Sequence, residues 1–305
     1  MIKRITIDDA EYPKNLKNIH KPPQQLYVNG TLEERDAVAV ALVGSRRPSL
    51  YGVEMAEKLG YELALRGVTV VSGMARGIDT AAHRGALKAK GRTVAVMGTG
   101  HGVIYPAENK KLYSEIAESG AVVTEYESGE GPIPFHFPQR NRIISGLSLG
   151  VVVVEAAKDS GALITASLAA EQGREVFAVP GRISSSTSSG ANALIKDGAV
   201  LVQTVDDILD ELSIKEVGPQ GRSLGSPRGG DIGRMTRAYV YNSLTDDERR
   251  LYKAVSNEPL HLDDVISKSG LGLSKGSKAL LSLQLKKLVR ELPGKQFVRA
   301  ESRCS

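Results

Sequence analysis

Tryptophan is absent from this chain, and its 305 residues include four phenylalanines and one cysteine. A lone thiol, Cys304, cannot close an internal disulfide and leaves no cysteine-rich metal site. No metal and no organic cofactor is expected. Nowhere do apolar residues run to the roughly 18 needed to cross a bilayer. The opening Met1-Ile-Lys-Arg-Ile-Thr-Ile-Asp-Asp9 is too polar and too short for a secretory signal, so a cytoplasmic, non-membrane protein is expected. With aromatics this scarce each phenylalanine needs a reason, and Phe135 and Phe137 flank a cationic segment where either base stacking or core packing would supply one.

Charge is unevenly placed. Residues 1–212 carry 23 Lys+Arg against 25 Asp+Glu, a net of −2, whereas residues 213–305 carry 17 against 10, a net of +7. A polyanion site in the first part must therefore gather its cations locally. The tail can add sequence-independent attraction, or its charge can simply keep a segment in solution.

Apolar, β-branched runs recur at 38–43, 68–71, 93–97, 121–124, 151–154, 175–179 and 199–202. Helical spacing fills the intervals 51–65, 77–90, 109–118, 162–172 and 191–196. Strands without polar alternation, separated by helices, predict an α/β fold with a Rossmann-like, doubly wound, mostly parallel sheet over 37–212. A proline-punctuated entry segment, 1–36, precedes it. The Gly/Ser/Pro-rich stretch from Val217 to Gly230 predicts a flexible linker over 213–243. Beyond it, Thr245-Asp-Asp-Glu248 forms a capping box, two further helical segments follow, and 290–299 reads as a hairpin turning at Pro293-Gly294. Three helices and a hairpin predict a small winged-helix-like domain over 244–300, an arrangement that serves either duplex DNA or a protein partner.

Chemistry concentrates at strand ends. Val43-Gly44-Ser45-Arg46 ends the first long strand, where a glycine admits a ligand to the backbone, Ser45 donates a hydrogen bond and Arg46 clamps a phosphate. The next glycine is Gly52, so the Gly-x-Gly-x-x-Gly dinucleotide spacing is missing. Ser72-Gly73 through Asp79 and His83 repeats the glycine-arginine turn, with Asp79 and His83 one turn apart and better suited to orienting the turn than to acid–base work. His101 lacks a partner for catalysis. Ser160-Gly161 opens a helix with Thr165 one turn in. Glu155 at a strand end is expected to pair with Arg140 or Arg142. The segment Phe135–Leu147 reads as a charged loop, and its Arg140-Asn141-Arg142 suggests a phosphate-bearing ligand. The serine-rich run Ile183–Ser189 reads as a flap over the crevice or an irregular loop.

Together, Val43–Arg46, Ser72–Asp79, Phe137–Leu147, Glu155–Thr165 and Glu171–Gly181 resemble the DprA/Smf family of DNA-processing proteins. That resemblance implies a non-enzymatic protein, a homodimer that binds and protects single-stranded DNA and loads the recombinase RecA in natural transformation or related recombination. It also implies the site residues: Gly44, Ser45 and Arg46 on backbone phosphates, Arg140, Asn141 and Arg142 completing the pocket, and Ser160, Gly161 and Thr165 at its edge. The winged-helix-like tail would add contact with duplex DNA or protein. A nucleotide-binding or nucleoside-monophosphate-hydrolysing enzyme of the related phosphoribohydrolase type is the rival. Its Pro-Gly-Gly-x-Gly-Thr-x-x-Glu motif is matched here only by Pro180-Gly181.

Overall fold

In the computed structural model the described residues are 2–214, 245–256, 260–285, 289–292 and 296–299. The expected linker from residue 215 onward, the turn at Pro293-Gly294 and Cys304 lie outside them. The chain divides into two compact units between Gly225 and Ser226.

The first unit opens with β1 (Lys3–Thr6), α1 (Lys14–Lys17) and β2 (Gln25–Gly30). The strands β3 (Ala39–Gly44), β4 (Thr69–Ser72), β5 (Thr93–Val96), β6 (Ala121–Thr124), β7 (Gly150–Glu155), β8 (Glu175–Ala178) and β9 (Val200–Leu201) follow. They form one sheet in the order β1-β2-β6-β5-β4-β3-β7-β8-β9, parallel throughout from β6 to β9. The entry segment belongs to this sheet. Its strands pair antiparallel with each other and with β6, an extension that proline punctuation does not signal.

The remaining helices of this unit are α2 (Leu50–Leu65), α3 (Ile78–Lys88), α4 (Lys110–Ser119), α5 (His136–Leu147), α6 (Gly161–Glu171), α7 (Ser189–Lys196) and α8 (Val205–Glu211). Successive strand residues face opposite layers. Val40, Leu42, Val70, Val152 and Val154 pack with α2, α3 and α8, while Ala39, Ala41, Val43, Val71, Val151 and Val153 pack with α1, α5, α6 and α7. Burial on both faces is why these strands lack polar alternation. Each fully buried branched side chain contributes about 1.5–3 kcal/mol of transfer free energy.

One sequence expectation fails here. The segment Phe135–Leu147 is not a loop: residues 136–147 form α5. Arg140, Ile143, Ile144 and Leu147 recur at helical spacing and are all buried, and Pro138 stands in the first turn, where a missing amide hydrogen costs nothing.

Among the described residues the second unit holds α9 (Asp246–Ala254), β10 (Leu260–His261), α10 (Leu262–Ser269), α11 (Leu273–Leu285), β11 (Val289–Leu292) and β12 (Gln296–Arg299). Its sheet order is β10-β12-β11, with β11 and β12 antiparallel. The capping box forms: the Thr245 amide donates to Glu248 Oε2 at 2.8 Å and the Glu248 amide to Thr245 Oγ1 at 3.4 Å. Leu251, Val265, Leu280, Leu283 and Phe297 meet in a core of its own. Gly270, at φ +67°, takes the left-handed conformation that ends α10 and starts the turn into α11.

Candidate nucleic-acid interface

Between β3 and β7 the chain parts: β3 leads to α2 on one face of the sheet and β7 to α6 on the other. Such a switch point leaves a crevice beyond the carboxyl ends of the strands. A cavity of about 520 Å³ occupies it, and Gly44, Ser45, Arg46, Arg140, Asn141, Ser160, Gly161 and Thr165 all line it. Arg142 does not.

The first wall is the turn after β3. Register with β7 shifts between Val43 and Gly44, and a Cβ on Gly44 would lie 2.6 Å from Ile78 Cγ1 and 2.8 Å from the Glu155 carbonyl oxygen, so the turn needs glycine. The Ser45 amide donates to the Glu155 carbonyl at 2.7 Å. Its hydroxyl accepts from the Arg47 amide at 3.1 Å, while the cap of α2 is Ser49, which accepts from Gly52. Freed from capping, the turn presents Arg46 and Arg47, both exposed. Arg46 lies over the Phe137 ring, 5.4 Å from its centroid, and Phe137 leans on Tyr105 at 5.6 Å. Phe137 is half-buried between them, whereas Phe135 is 67% exposed.

The second wall is α5, which runs against the strand direction and so brings its first turns to the crevice edge. Arg140 is 3% exposed. Its Nη1 donates to the Gly73 carbonyl at 2.8 Å and also to the Val96 carbonyl, and the Asp79 carboxylate lies beside its guanidinium. A Cβ on Gly73 would fall 2.7 Å from both Arg140 Nη2 and Asp79 Oδ2, so glycine makes room for the pair. Burial pulls the Arg140 guanidinium down to about 10, against the pull of Asp79. Burial likewise raises the Asp79 carboxyl, opposed by Arg140 and by the amides of Ala75 and Gly73. Arg140 thus ties the ends of β4 and β5 together at the floor of the cavity, its charge countered by Asp79. It is not an open phosphate fork.

Arg142 is elsewhere for a geometric reason. Two residues along an α-helix is about 200° of rotation, so a buried Arg140 sends Arg142 to the other side, where its Nη2 donates to Glu125 Oε2 at 2.6 Å. Asn141 stays at the crevice and reaches the carbonyl of Gly161 at 3.5 Å.

The third wall is the start of α6. Ser160 caps it, accepting from the Ala162 amide at 3.3 Å, and Thr165, 2% exposed, lies one turn below. The amide end of the helix opens toward the space between Arg46 and Asn141, where its dipole favours an anion. The cavity also takes in Arg47, Asp79, Phe137 and Asp159, which sequence reasoning did not assign to it. Arg47 was legible as the neighbour of Arg46; Phe137 required the helix.

Other strand-end groups are structural. Glu155 pairs with neither Arg140 nor Arg142; it is 2% exposed and accepts from the Ser49 amide at 2.9 Å and from the Ser49 hydroxyl. Asp79 accepts from the amides of Gly73 at 3.1 Å and Ala75 at 3.3 Å, orienting the turn as expected. His101 lies between the Tyr113 hydroxyl at 2.8 Å and the Tyr27 carbonyl at 3.0 Å. The serine-rich run does not cover the crevice. Gly181 is clamped by Asn192 at 3.0 Å through both its amide and its carbonyl, and Ser184, Ser185 and Ser188 border a separate depression beside Ser49 and Tyr51.

His83 is fully buried and bonds Thr93 Oγ1 at 2.6 Å rather than Asp79. Thr93 donates its own proton to the Val70 carbonyl, so His83 Nδ1 carries the hydrogen and Nε2 is left without a partner. Burial drives the imidazole down to about 3. Below its unfolded value near 6.5 the unfolded chain binds a proton that the native state refuses. Stability is therefore full above pH 6.5 and falls progressively toward pH 3, by about 1–2 kcal/mol between pH 6.5 and 5. Denaturant titrations at pH 7 and pH 5 should show that loss in the parent and a smaller one in His83→Asn. Equal losses would exclude His83 as its source.

A family model described as DNA recombination-mediator protein A matches residues 3–213, and one for the DprA winged helix domain matches residues 240–295. Protein Smf of Escherichia coli (strain K12) is 38% identical over 305 residues, covering 98% of this chain and 78% of that protein. DNA processing protein DprA of Streptococcus pneumoniae (strain ATCC BAA-255 / R6) is 47% identical over 207 residues, covering 67% of this chain and 72% of that one. The X-ray structure of the pneumococcal protein matches with a TM-score of 0.66 and 45% identity, over 69% of this chain and 74% of that chain. The Helicobacter pylori DNA processing protein A, solved for its single-stranded DNA binding mode, matches with a TM-score of 0.61 and 31% identity, over 69% of this chain and 96% of that chain. With most of its length matched by the family model and nearly all of it by the Escherichia coli relative, the chain belongs to the DprA/Smf family of DNA recombination-mediator proteins.

Proposed function

We propose that the crevice between β3 and β7 binds the sugar-phosphate backbone of single-stranded DNA, and that the protein, acting as a homodimer, shields such strands and passes them to the recombinase RecA. One observation carries the binding step. In a stretch of chain with a net charge of −2 over residues 1–212, Arg46, Arg47 and the amide end of α6 converge on one cavity, whose buried Arg140 is paired with Asp79 and whose one other carboxylate among the described residues is Asp159. The relative from Helicobacter pylori supports the ligand class. The hand-over to RecA, the dimer and a role in transformation rest on family membership.

Roles divide by exposure. Arg46 and Arg47 meet phosphates directly, Ser45, Asn141, Ser160 and Gly161 offer neutral hydrogen-bonding groups around them, and Arg140 and Thr165 shape the floor. Arg142 takes no part. Arg46→Ala should weaken binding of a labelled single-stranded oligonucleotide and reduce the magnitude of the salt slope by about 0.7, the value of one neutralised phosphate. Arg142→Ala should leave that slope unchanged. If Arg46→Ala binds with the parent's affinity and slope, the crevice is not the site.

A further inference from the structure

A second depression, of about 750 Å³, opens between the start of α2 and the segment that follows β8. Its lining holds one cation, Arg182, and four serines, with no carboxylate among the described residues. Arg35, Arg66, Arg76, Arg92 and Arg142 of the same unit are each held by a carboxylate. Arg182 is exposed and, like Arg46 and Arg47, pairs with none among the described residues. The serine hydroxyls are not alike. Ser49 is committed to Glu155 and to the Gly52 amide, and Ser185 bonds Thr187 Oγ1 at 2.8 Å. Ser188 is 6% exposed, and its hydroxyl, on the wall of the depression, has no partner among the described residues. Glycine at 181 makes room for it, since a Cβ there would collide with Ser188 Oγ. A buried hydroxyl left unpaired is costly, and an acceptor on a ligand removes that cost.

The start of α7 is not the donor here. The amides of Gly190 and Ala191 both donate to the Ala156 carbonyl, at 2.8 and 3.3 Å, and are spent within the protein. That link has a second effect. Ala156 leads into the turn before α6, the third wall of the crevice, while Ser49 ends the turn that carries Arg46 and Arg47. The depression and the crevice therefore share both supports. Arg47, on the crevice wall, is two residues from Ser49, on the wall of the depression. Apolar side chains stand at the mouth: Ile183 is fully exposed, and Tyr51 is 45% exposed with its hydroxyl donating to the Pro180 carbonyl at 3.2 Å. An aromatic face held in this way suits a nucleobase.

We propose that this depression is a second phosphate subsite for the single strand, filled by a nucleotide that leaves the crevice past Arg47. Arg182 takes the phosphate through its planar fork, Ser188 donates a hydrogen bond to a phosphate oxygen, and the base rests on Tyr51 and Ile183. The extension rests on the crevice reading. One arginine and one hydroxyl hold a free anion weakly, whereas a strand already anchored in the crevice presents its next phosphate at a high effective concentration. The ligand is therefore a phosphate of the tethered strand and not one in free solution.

The test uses the full chain with two labelled single strands, one of about four nucleotides and one of about sixteen, the range of single-strand site sizes. Arg182→Ala should weaken binding of the long strand by about fivefold and lower its salt-slope magnitude by about 0.7, leaving the short strand unaffected. Ser188→Ala, which removes no bond within the protein, should act in the same direction by about twofold. Arg46→Ala should weaken both lengths, so a crevice reading that fails, with Arg46→Ala binding both strands as the parent does, is distinct from a failed subsite. The proposal is overturned if Arg182→Ala binds the long strand as the parent does or weakens both lengths equally. It is also overturned if inorganic phosphate at constant ionic strength abolishes the difference between parent and Arg182→Ala, because the depression would then hold the free anion.

Discussion

Arg140→Ala is expected to lose about 3–5 kcal/mol of unfolding free energy, the range for removing one member of a buried, hydrogen-bonded charge pair. Three consequences coincide at that residue. The carbonyls of Gly73 and Val96 lose their donor, the buried Asp79 loses the cation that opposes its desolvation, and a large side chain leaves a void beneath the crevice. A charged loop would have predicted loss of DNA binding with the fold intact. The helix reverses that expectation: urea unfolding of Arg140→Ala should show a sharply lower midpoint, while Arg142→Ala, whose guanidinium pairs with Glu125 at the half-buried edge of α5, should shift it much less. Similar midpoints for the two variants would refute the structural role assigned to Arg140.

Glu155→Ala is expected to weaken single-strand binding by about tenfold, or about 1.4 kcal/mol, although it removes a negative charge from beside a polyanion site. Coulomb repulsion alone gives the opposite sign, worth about 0.4 kcal/mol for charges roughly 10 Å apart in water. Positioning outweighs it. Glu155 accepts from the Ser49 amide and hydroxyl while its own carbonyl accepts from the Ser45 amide, so it holds both ends of the turn that carries Arg46 and Arg47. Without the carboxylate, the turn must be ordered by the DNA at an entropic cost. Glu155→Gln keeps an acceptor for the Ser49 amide and drops the charge, so it should bind like the parent or slightly tighter. If the alanine variant bound more tightly than the parent, Coulomb repulsion would dominate and the positioning argument would fall.

The two-sided strands β3 to β7 announce themselves as mostly apolar runs, because nearly every residue in them is buried in one of two packed layers. The capping box at Thr245 and the helical spacing of α2 and α6 were equally plain. Three elements were not. β1 and β2 lie at the sheet's edge, where partial exposure blurs the pattern and prolines 13, 22 and 23 interrupt it. In α5 a buried arginine occupies a position that an apolar residue would have marked, so the recurrence at 140, 143, 144 and 147 passed for part of a loop.

Local chemistry along the chain determined the fold class, the glycine turns, the helix starts and the family resemblance, since each depends on residues within a few positions of one another. Tertiary structure decided which cations face the ligand. Arg140, Asn141 and Arg142 are equivalent in a string of letters; a rotation of about 100° per residue makes the first a buried tie, the second a crevice side chain and the third an ion pair on the far side. The partner of Glu155, 106 residues away at Ser49, was likewise out of reach of any local rule. It is set by β3 and β7 lying side by side, and that adjacency is what makes the crevice.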